Sequence, residues 1–242
     1  MTLRGVFFDA GETLVHPHPS FTELLLALLR AEGHDVGQAD VRVNAAIVAR
    51  HFQKAADQGL LWTTSPERSK AFWLGVYGEF LTALGIADTD GLAVRLYTQF
   101  TDLSNYRLFP DVLPVLRNLK GAGLLLGVIS NFEEWLGRLL ARLGVDGLLD
   151  LQVVSGVEGV EKPDPAIFEL ALERAGLTAD ECVYVGDSPA FDTAPAEALG
   201  MRGVLVDRRG RHPDHTGPGV RITDLTDLPA VIGLSPAARE AN

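Results

Sequence analysis

Four polar stretches in this 242-residue chain share one setting, because each closes a short apolar run or follows it by a few residues. Asp9 follows Val6-Phe7-Phe8, and Ser130-Asn131 follows the run Leu124 to Ile129. Lys162 lies a little beyond Leu151 to Val154, and Asp187 with Asp192 follows Cys182 to Val185. Carboxylates, a hydroxyl and one ammonium form a set suited to phosphoryl transfer. Acidic side chains hold Mg²⁺, the cation and the hydroxyl bind phosphate oxygens, and one carboxylate attacks phosphorus. A carboxylate and a phosphate repel each other, so such a site needs Mg²⁺ and a lysine to neutralise it.

Residues so far apart converge only if the chain brings the ends of several strands together. The four apolar runs, with a fifth at Gly203 to Val206 ending at Asp207, read as short buried strands. Helical patterns lie between them at Val112 to Ala122, Glu133 to Leu143, Pro165 to Ala175 and Thr193 to Leu199. This alternation predicts right-handed crossovers and an α/β, Rossmann-like, doubly wound parallel sheet, with ligands bound beyond the carboxyl ends of the strands. From Phe21 to Leu103 the pattern changes to helix formers with apolar stripes, such as Leu24, Leu25, Leu28 and Leu29, then Phe72, Val76, Phe80, Leu81 and Leu84. The expectation is a smaller all-helical domain of about four helices over residues 19–106, inserted into a core of residues 1–18 and 107–242, with hinges near Pro17, Pro19 and Pro110. The sequence shows no internal repeat, and the tail after Ser235 is expected to fray.

Composition narrows the partners. Lys plus Arg number 21 against 32 Asp plus Glu, a net charge of −11 without a compensating basic block, which argues against nucleic acid. No apolar stretch approaches the roughly 18–20 residues needed to span a bilayer, and the first nine residues read as a strand rather than a signal segment. The single cysteine, Cys182, sits in an apolar run and reads as a buried thiol, consistent with a reducing cytoplasm.

In order along the chain, Phe7-Phe8-Asp9-Ala10-Gly11-Glu12-Thr13-Leu14, Val128-Ile129-Ser130-Asn131, Glu161-Lys162-Pro163-Asp164-Pro165, and Val185-Gly186-Asp187-Ser188 with Asp192 resemble the four motifs of the haloacid dehalogenase superfamily. The resemblance covers residues 1–18 and about 107–233, and the helical insertion matches by position the family's first type of cap. It implies that Asp9 is the nucleophile and a Mg²⁺ ligand, with the Gly11 carbonyl and Asp187 as further ligands. It implies that Ser130, Asn131 and Lys162 bind the transferring group of a small phosphorylated substrate, with Lys162 also catalytic. Asp192 would hold Lys162 or a metal-bound water.

One position departs from the family pattern. Its phosphatases usually carry a second aspartate, a general acid and base, where this chain has Gly11. Relatives lacking it include metal-free dehalogenases and phosphonatases that recruit a cap lysine. The retained Asp187 and Asp192 argue against a dehalogenase, and Lys54 and Lys70 are the only lysines in the insertion. A weakly active protein that binds Mg²⁺ and phosphoesters is the other reading that Gly11 leaves open.

Several residues carry two readings. Ser130-Asn131 is also good helix-capping chemistry, and Asp192 could cap the helix expected from Thr193. Glu12 could replace the missing acid or point to solvent. His16 and His18 could line the site or lie on the surface, and Trp62 and Trp73 read as core. Arg208, Arg209, Arg211, His212 and His215 read as a solvated loop.

Overall fold

Val6, Phe7 and Phe8 are fully buried, and the strand they build, β1 (Gly5–Phe8), lies inside a six-stranded parallel sheet. The structure, a computed structural model, describes residues 2–44 and 46–234. The expected fraying tail lies outside these described residues. Two further short strands, β2 (Val15–Pro17) and β3 (Tyr106–Leu108), pair with each other apart from the main sheet. The remaining strands are β4 (Leu125–Ser130), β5 (Leu151–Val154), β6 (Cys182–Gly186), β7 (Arg202–Val206) and β8 (Val220–Ile222). Their order is β5-β4-β1-β6-β7-β8, and Phe8 sits level with Val128 on one side and Val185 on the other. From β1 the chain builds outward through β4 and β5, then returns to build the other half from β6. The topological switch point, where such sheets open a crevice, therefore lies between the ends of β1 and β6.

Alternation along β1 sends Phe7 to one face, where it joins Ile129, Val153 and Tyr184 against Ile167, Phe168 and Ala171 of α9 (Pro165–Ala175) and Ala196 of α10 (Ala194–Ala198). Gly127 permits this packing, because a Cβ there would stand 2.7 Å from the Phe7 ring. The other helices of this unit are α6 (Val112–Gly121), which packs on β4, α7 (Leu136–Arg142), α8 (Ser155–Glu158) and α11 (Leu228–Val231). This is the Rossmann-like α/β core that the strand–helix alternation predicts. Cys182 is buried in β6, and burial, with Glu181 and Asp180 nearby, pushes its thiol up to about 12.

The chain divides into two compact units, residues 1–15 with 108–242 and residues 16–107. The second is helical: α1 (Phe21–Ala31), α2 (Gln38–Val43), α3 (Ala46–Asp57), α4 (Pro66–Ala83) and α5 (Leu92–Thr101). The count of about four is corrected to five among the described residues, since α2 is only six residues long and buries Val41 alone. The leucine stripe of α1 and the aromatic stripe of α4 form one core with Leu92, Leu96 and Phe100. Trp62 and Trp73 join its aromatic packing, with Trp62 4.7 Å from Phe72 and Trp73 5.8 Å from Tyr77 between ring centroids. Lys54 is exposed, and Lys70 lies over the Tyr97 ring at 5.9 Å. His16 Nδ1 bonds the Pro17 carbonyl oxygen at 2.8 Å. No helix among the described residues is long and apolar enough to cross a membrane.

Candidate active site

Asp9 continues β1 by one residue, its N–H donating to the Val185 carbonyl at 2.8 Å, so its side chain emerges at the switch point. A tight turn follows, in which the N–H groups of Leu14 and Val15 both donate to the Ala10 carbonyl and Glu12 N–H donates to Val15. Within it Glu12 takes a left-handed φ of 55°, a conformation that favours glycine. Its carboxylate is held by Arg209, with Nε to Oε2 at 2.9 Å and Nη2 to Oε1 at 3.3 Å. Gly11 has ordinary φ, and a Cβ built there meets nothing within 4 Å.

Ser130 ends β4 and donates its hydroxyl to Asp9 Oδ1 at 2.9 Å. Asn131 turns to the Lys162 main chain, its Nδ2 donating to the Lys162 carbonyl at 2.8 Å and its Oδ1 accepting the Lys162 N–H at 2.7 Å. The side-chain amide expected beside a transferring group is thus engaged in fixing the backbone that carries the lysine. Residues after Asn131 do not enter a helix at once. The Phe132 main chain is clamped by the Ser155 hydroxyl, and a Cβ on Gly156 would stand 2.8 Å from Glu134 N, so α7 starts at Leu136 and not at Glu133. Beyond Lys162, Asp164 accepts from Ala166 N–H at 2.9 Å and caps α9, with Pro165 at its first position.

Lys162 is only 3% exposed, and its ammonium donates to Asp9 Oδ1 at 2.8 Å, Asp192 Oδ1 at 2.5 Å and the Tyr184 hydroxyl at 3.0 Å. Burial pulls its pKa down, but Asp192 and Asp9 outweigh that and hold it above the usual lysine value. Asp192 lies in a π-helical turn, Pro189–Thr193, and its second oxygen accepts the Ser188 N–H at 2.9 Å. Gly186 makes room for it, since a Cβ there would collide with the Asp192 carboxyl. Asp192 therefore holds the lysine and its own turn, with neither oxygen spent on the start of α10.

Asp187 closes β6 beside these groups, its side chain 26% exposed and its Oδ2 3.9 Å from Arg211. Carboxylate oxygens of Asp9, Asp187 and Asp192 all lie within 4.8 Å of one another. Withdrawal from water and then the neighbouring acids, Asp192 first, push the Asp187 carboxyl well above its usual range, against a smaller opposing pull from Arg211. Asp9 is also raised, by burial, against the pull of Lys162. Lys162 balances one of these three charges and leaves the group short of a cation. Hard oxygen donors with surplus negative charge fit a divalent ion such as Mg²⁺, which commonly takes one or two carboxylates and completes its shell with water and phosphate.

The loop after β7 corrects the solvated-loop expectation at Arg208. Asp207 is buried and accepts the N–H groups of Arg211 (2.7 Å) and His212 (3.0 Å) together with Arg221 Nε (3.0 Å). The turn it builds directs Arg208 inward, 8% exposed, onto Asp111 at 2.9 Å and the Thr13 carbonyl at 2.8 Å, with its guanidinium 4.0 Å from the Phe109 ring centroid. Arg209, paired with Glu12, and Arg211, 3.9 Å from Asp187, remain exposed as expected of a solvated loop. Tyr184 is the other residue that sequence reading passed over, because a tyrosine inside an apolar strand reads as an ordinary strand former.

The parallel sheet thus brings Asp9, Ser130 and Asp187 together at its strand ends, with Lys162 carried in from the segment beyond β5. Residues 3–200 match the family model of the haloacid dehalogenase-like hydrolases, and the chain belongs to that family. Among its relatives, the haloacid dehalogenase-like hydrolase domain-containing protein 3 of Danio rerio is 31% identical over 238 residues, 94% of this chain and 96% of that one. A phosphoserine phosphatase of Thermus thermophilus is 30% identical over 243 residues, covering 93% of this chain and 98% of the relative. The magnesium-bound HAD-hydrolase YfnB of Bacillus subtilis shares the fold with a TM-score of 0.79 at 17% identity, over 97% of this chain and 100% of its own.

Proposed function

We propose that the chain is a Mg²⁺-dependent phosphohydrolase of small phosphorylated metabolites that works through an aspartyl-phosphate on Asp9. The observation that carries this reading is the Asp9 carboxylate, whose Oδ1 takes both the Ser130 hydroxyl and the Lys162 ammonium while Asp187 stands within 4.8 Å. One oxygen is held by the groups that would also bind a phosphoryl group, and Oδ2 is engaged by neither of them. The relative named as a phosphoserine phosphatase supports a phosphate ester as substrate.

In this reading Asp9, the Gly11 carbonyl and Asp187 would hold Mg²⁺, which would offset the charge between nucleophile and phosphate. Asp9 attacks phosphorus, and the alcohol oxygen leaves with the bonding pair. Lys162 and Ser130 would exchange the hydrogen bonds they give to Asp9 Oδ1 for equatorial phosphoryl oxygens, where charge gathers in the transition state. Asn131 keeps Lys162 in place through its main chain, and Asp192 orients the ammonium. Water then attacks phosphorus in the phosphoaspartate, releases phosphate and restores Asp9. The helical unit, residues 16–107, takes the role of cap.

Gly11 supports a second reading, a protein that binds Mg²⁺ and phosphoesters with little turnover, because no carboxylate stands where the proton donor is expected. A magnesium-dependent assay over a panel of metabolite phosphates separates the two. Asp9→Asn should then abolish turnover without changing the circular dichroism spectrum, because an amide of the same shape is a poor nucleophile. Substantial activity in that purified variant would remove Asp9 from the mechanism.

A further inference from the structure

The Lys162 ammonium has three N–H protons, and each finds one acceptor, on Asp9, Asp192 and Tyr184. The two carboxylates alone would leave it free to turn about the line that joins them, and a third acceptor removes that freedom. Tyr184 is fully buried in β6, with its ring set edge-on to Phe168 at 5.1 Å between centroids. Its hydroxyl oxygen lies 2.8 Å from the Ile129 carbonyl and 3.2 Å from Asp192 Oδ1. Since the ammonium can only donate, the phenol oxygen accepts from Lys162, and its single proton goes to the nearer oxygen, that of Ile129. Burial, followed by Asp192 and Asp9, holds the phenol in its neutral form, which preserves this polarity. Ile129 immediately precedes Ser130, so one hydroxyl joins the ammonium to the strand end that presents the serine.

We propose that Tyr184 is a positioning residue for phosphate recognition, whose hydroxyl aims the Lys162 ammonium and locks it to the end of β4 so that Lys162 and Ser130 grip one phosphoryl group together. This rests on the reading of Lys162 and Ser130 as phosphate-binding residues. Nothing in the four sequence motifs contains Tyr184, and its part in the site comes from the geometry alone.

Tyr184→Phe removes the hydroxyl and keeps the ring against Phe168, whereas Tyr184→Leu removes both. In the full-length protein saturated with Mg²⁺, Tyr184→Phe should weaken competitive inhibition by inorganic phosphate and raise KM for p-nitrophenyl phosphate by about five- to tenfold each, the size of one lost hydrogen bond. Its affinity for Mg²⁺ without phosphate should stay within about twofold of wild type, because Asp187 is not among the partners of the hydroxyl. Tyr184→Leu should bind phosphate no worse than Tyr184→Phe but melt at a lower temperature. Unchanged phosphate inhibition in Tyr184→Phe overturns the inference. Losses of Mg²⁺ and phosphate affinity in parallel with a fallen melting temperature also overturn it, and assign the tyrosine to general stability. Lys162→Met tests the underlying reading. If it binds inorganic phosphate by calorimetry as tightly as wild type does, both fail, whereas a large loss of phosphate binding in Lys162→Met beside a silent Tyr184→Phe sinks only the role of Tyr184.

Discussion

At the scale of single residues, Gly11 has the clearest kinetic consequence. A general acid or base is worth about 10²- to 10⁴-fold, or roughly 3–5 kcal/mol. Without one, aryl and acyl phosphates, whose leaving groups need little protonation, should be turned over faster than alkyl phosphates. Breakdown of the covalent intermediate should then limit the rate, with a pre-steady-state burst from an aryl phosphate. Gly11→Asp should selectively raise alkyl phosphate turnover, and the open space around Gly11 permits that side chain. Equal alkyl and aryl rates with no burst would point to another proton donor, although Glu12 is already committed to Arg209. Asp187 has a thermodynamic consequence. Its carboxyl is raised above 3.8, so the folded protein keeps a proton that the unfolded chain has lost, and this contribution to stability fades as pH rises through the folded value. Asp187→Asn should therefore raise the melting temperature of the EDTA-treated protein by a margin that widens as pH rises, by about 2–4 °C per kcal/mol of repulsion removed. It should also abolish most of the stabilisation by Mg²⁺. Asp9, Ser130, Lys162 and Asp187 are legible in the sequence because each is polar at or soon after the end of an apolar run. Tyr184 and Arg208 are not, since Tyr184 looks like any strand residue and Arg208 finds its partners at Thr13 and Asp111, far away along the chain.

At the scale of elements, the turn after β7 depends on one carboxylate. Asp207 is buried, which opposes its ionisation, yet the N–H groups of His212 and Arg211 and the Arg221 guanidinium outweigh this and hold its pKa below 3.8. The stabilisation is thus present at neutral pH and is lost as pH falls through that depressed value. Asp207→Asn should cost about 1.5–3 kcal/mol at pH 7, with the gap from wild type closing only in strong acid, as followed by urea unfolding at several pH values. A variant as stable as wild type at pH 7 would show that the turn does not need the charge. The five core strands and the helices α6, α9 and α10 are readable because their apolar runs are bounded by glycine, proline or polar residues. The edge strand β8, three residues long, and the six-residue α2 carry too few periodic positions to read. The late start of α7 depends on Ser155 and Gly156, which no local pattern around Glu133 reveals.

At the scale of the whole molecule, the sheet unit is interrupted in sequence and continuous in space. Leu14 and Phe109 stand on either side of the helical unit in the chain, yet the Phe109 N–H donates to the Leu14 carbonyl at 3.1 Å. Replacing residues 16–107 with a short Gly-Asn turn should leave a sheet unit that still unfolds cooperatively and is still stabilised by Mg²⁺, measurable by circular dichroism melts with and without the ion. Loss of cooperative unfolding would show that the sheet depends on the helices for its stability.

The central place of β1 also has a consequence during synthesis. This strand leaves the ribosome well before its neighbours β4 and β6, which begin only at residues 125 and 182. At about 5–20 residues per second, Val6, Phe7 and Phe8 wait roughly 6–23 s for their first partner and longer for their second. Over that interval the helical unit, rich in local contacts, can already fold, while the strand that will become the middle of the sheet stays unpaired and open to chaperones or to other nascent chains. The insertion that separates Leu14 from Phe109 therefore sets the length of time for which a fully buried strand of the sheet is exposed.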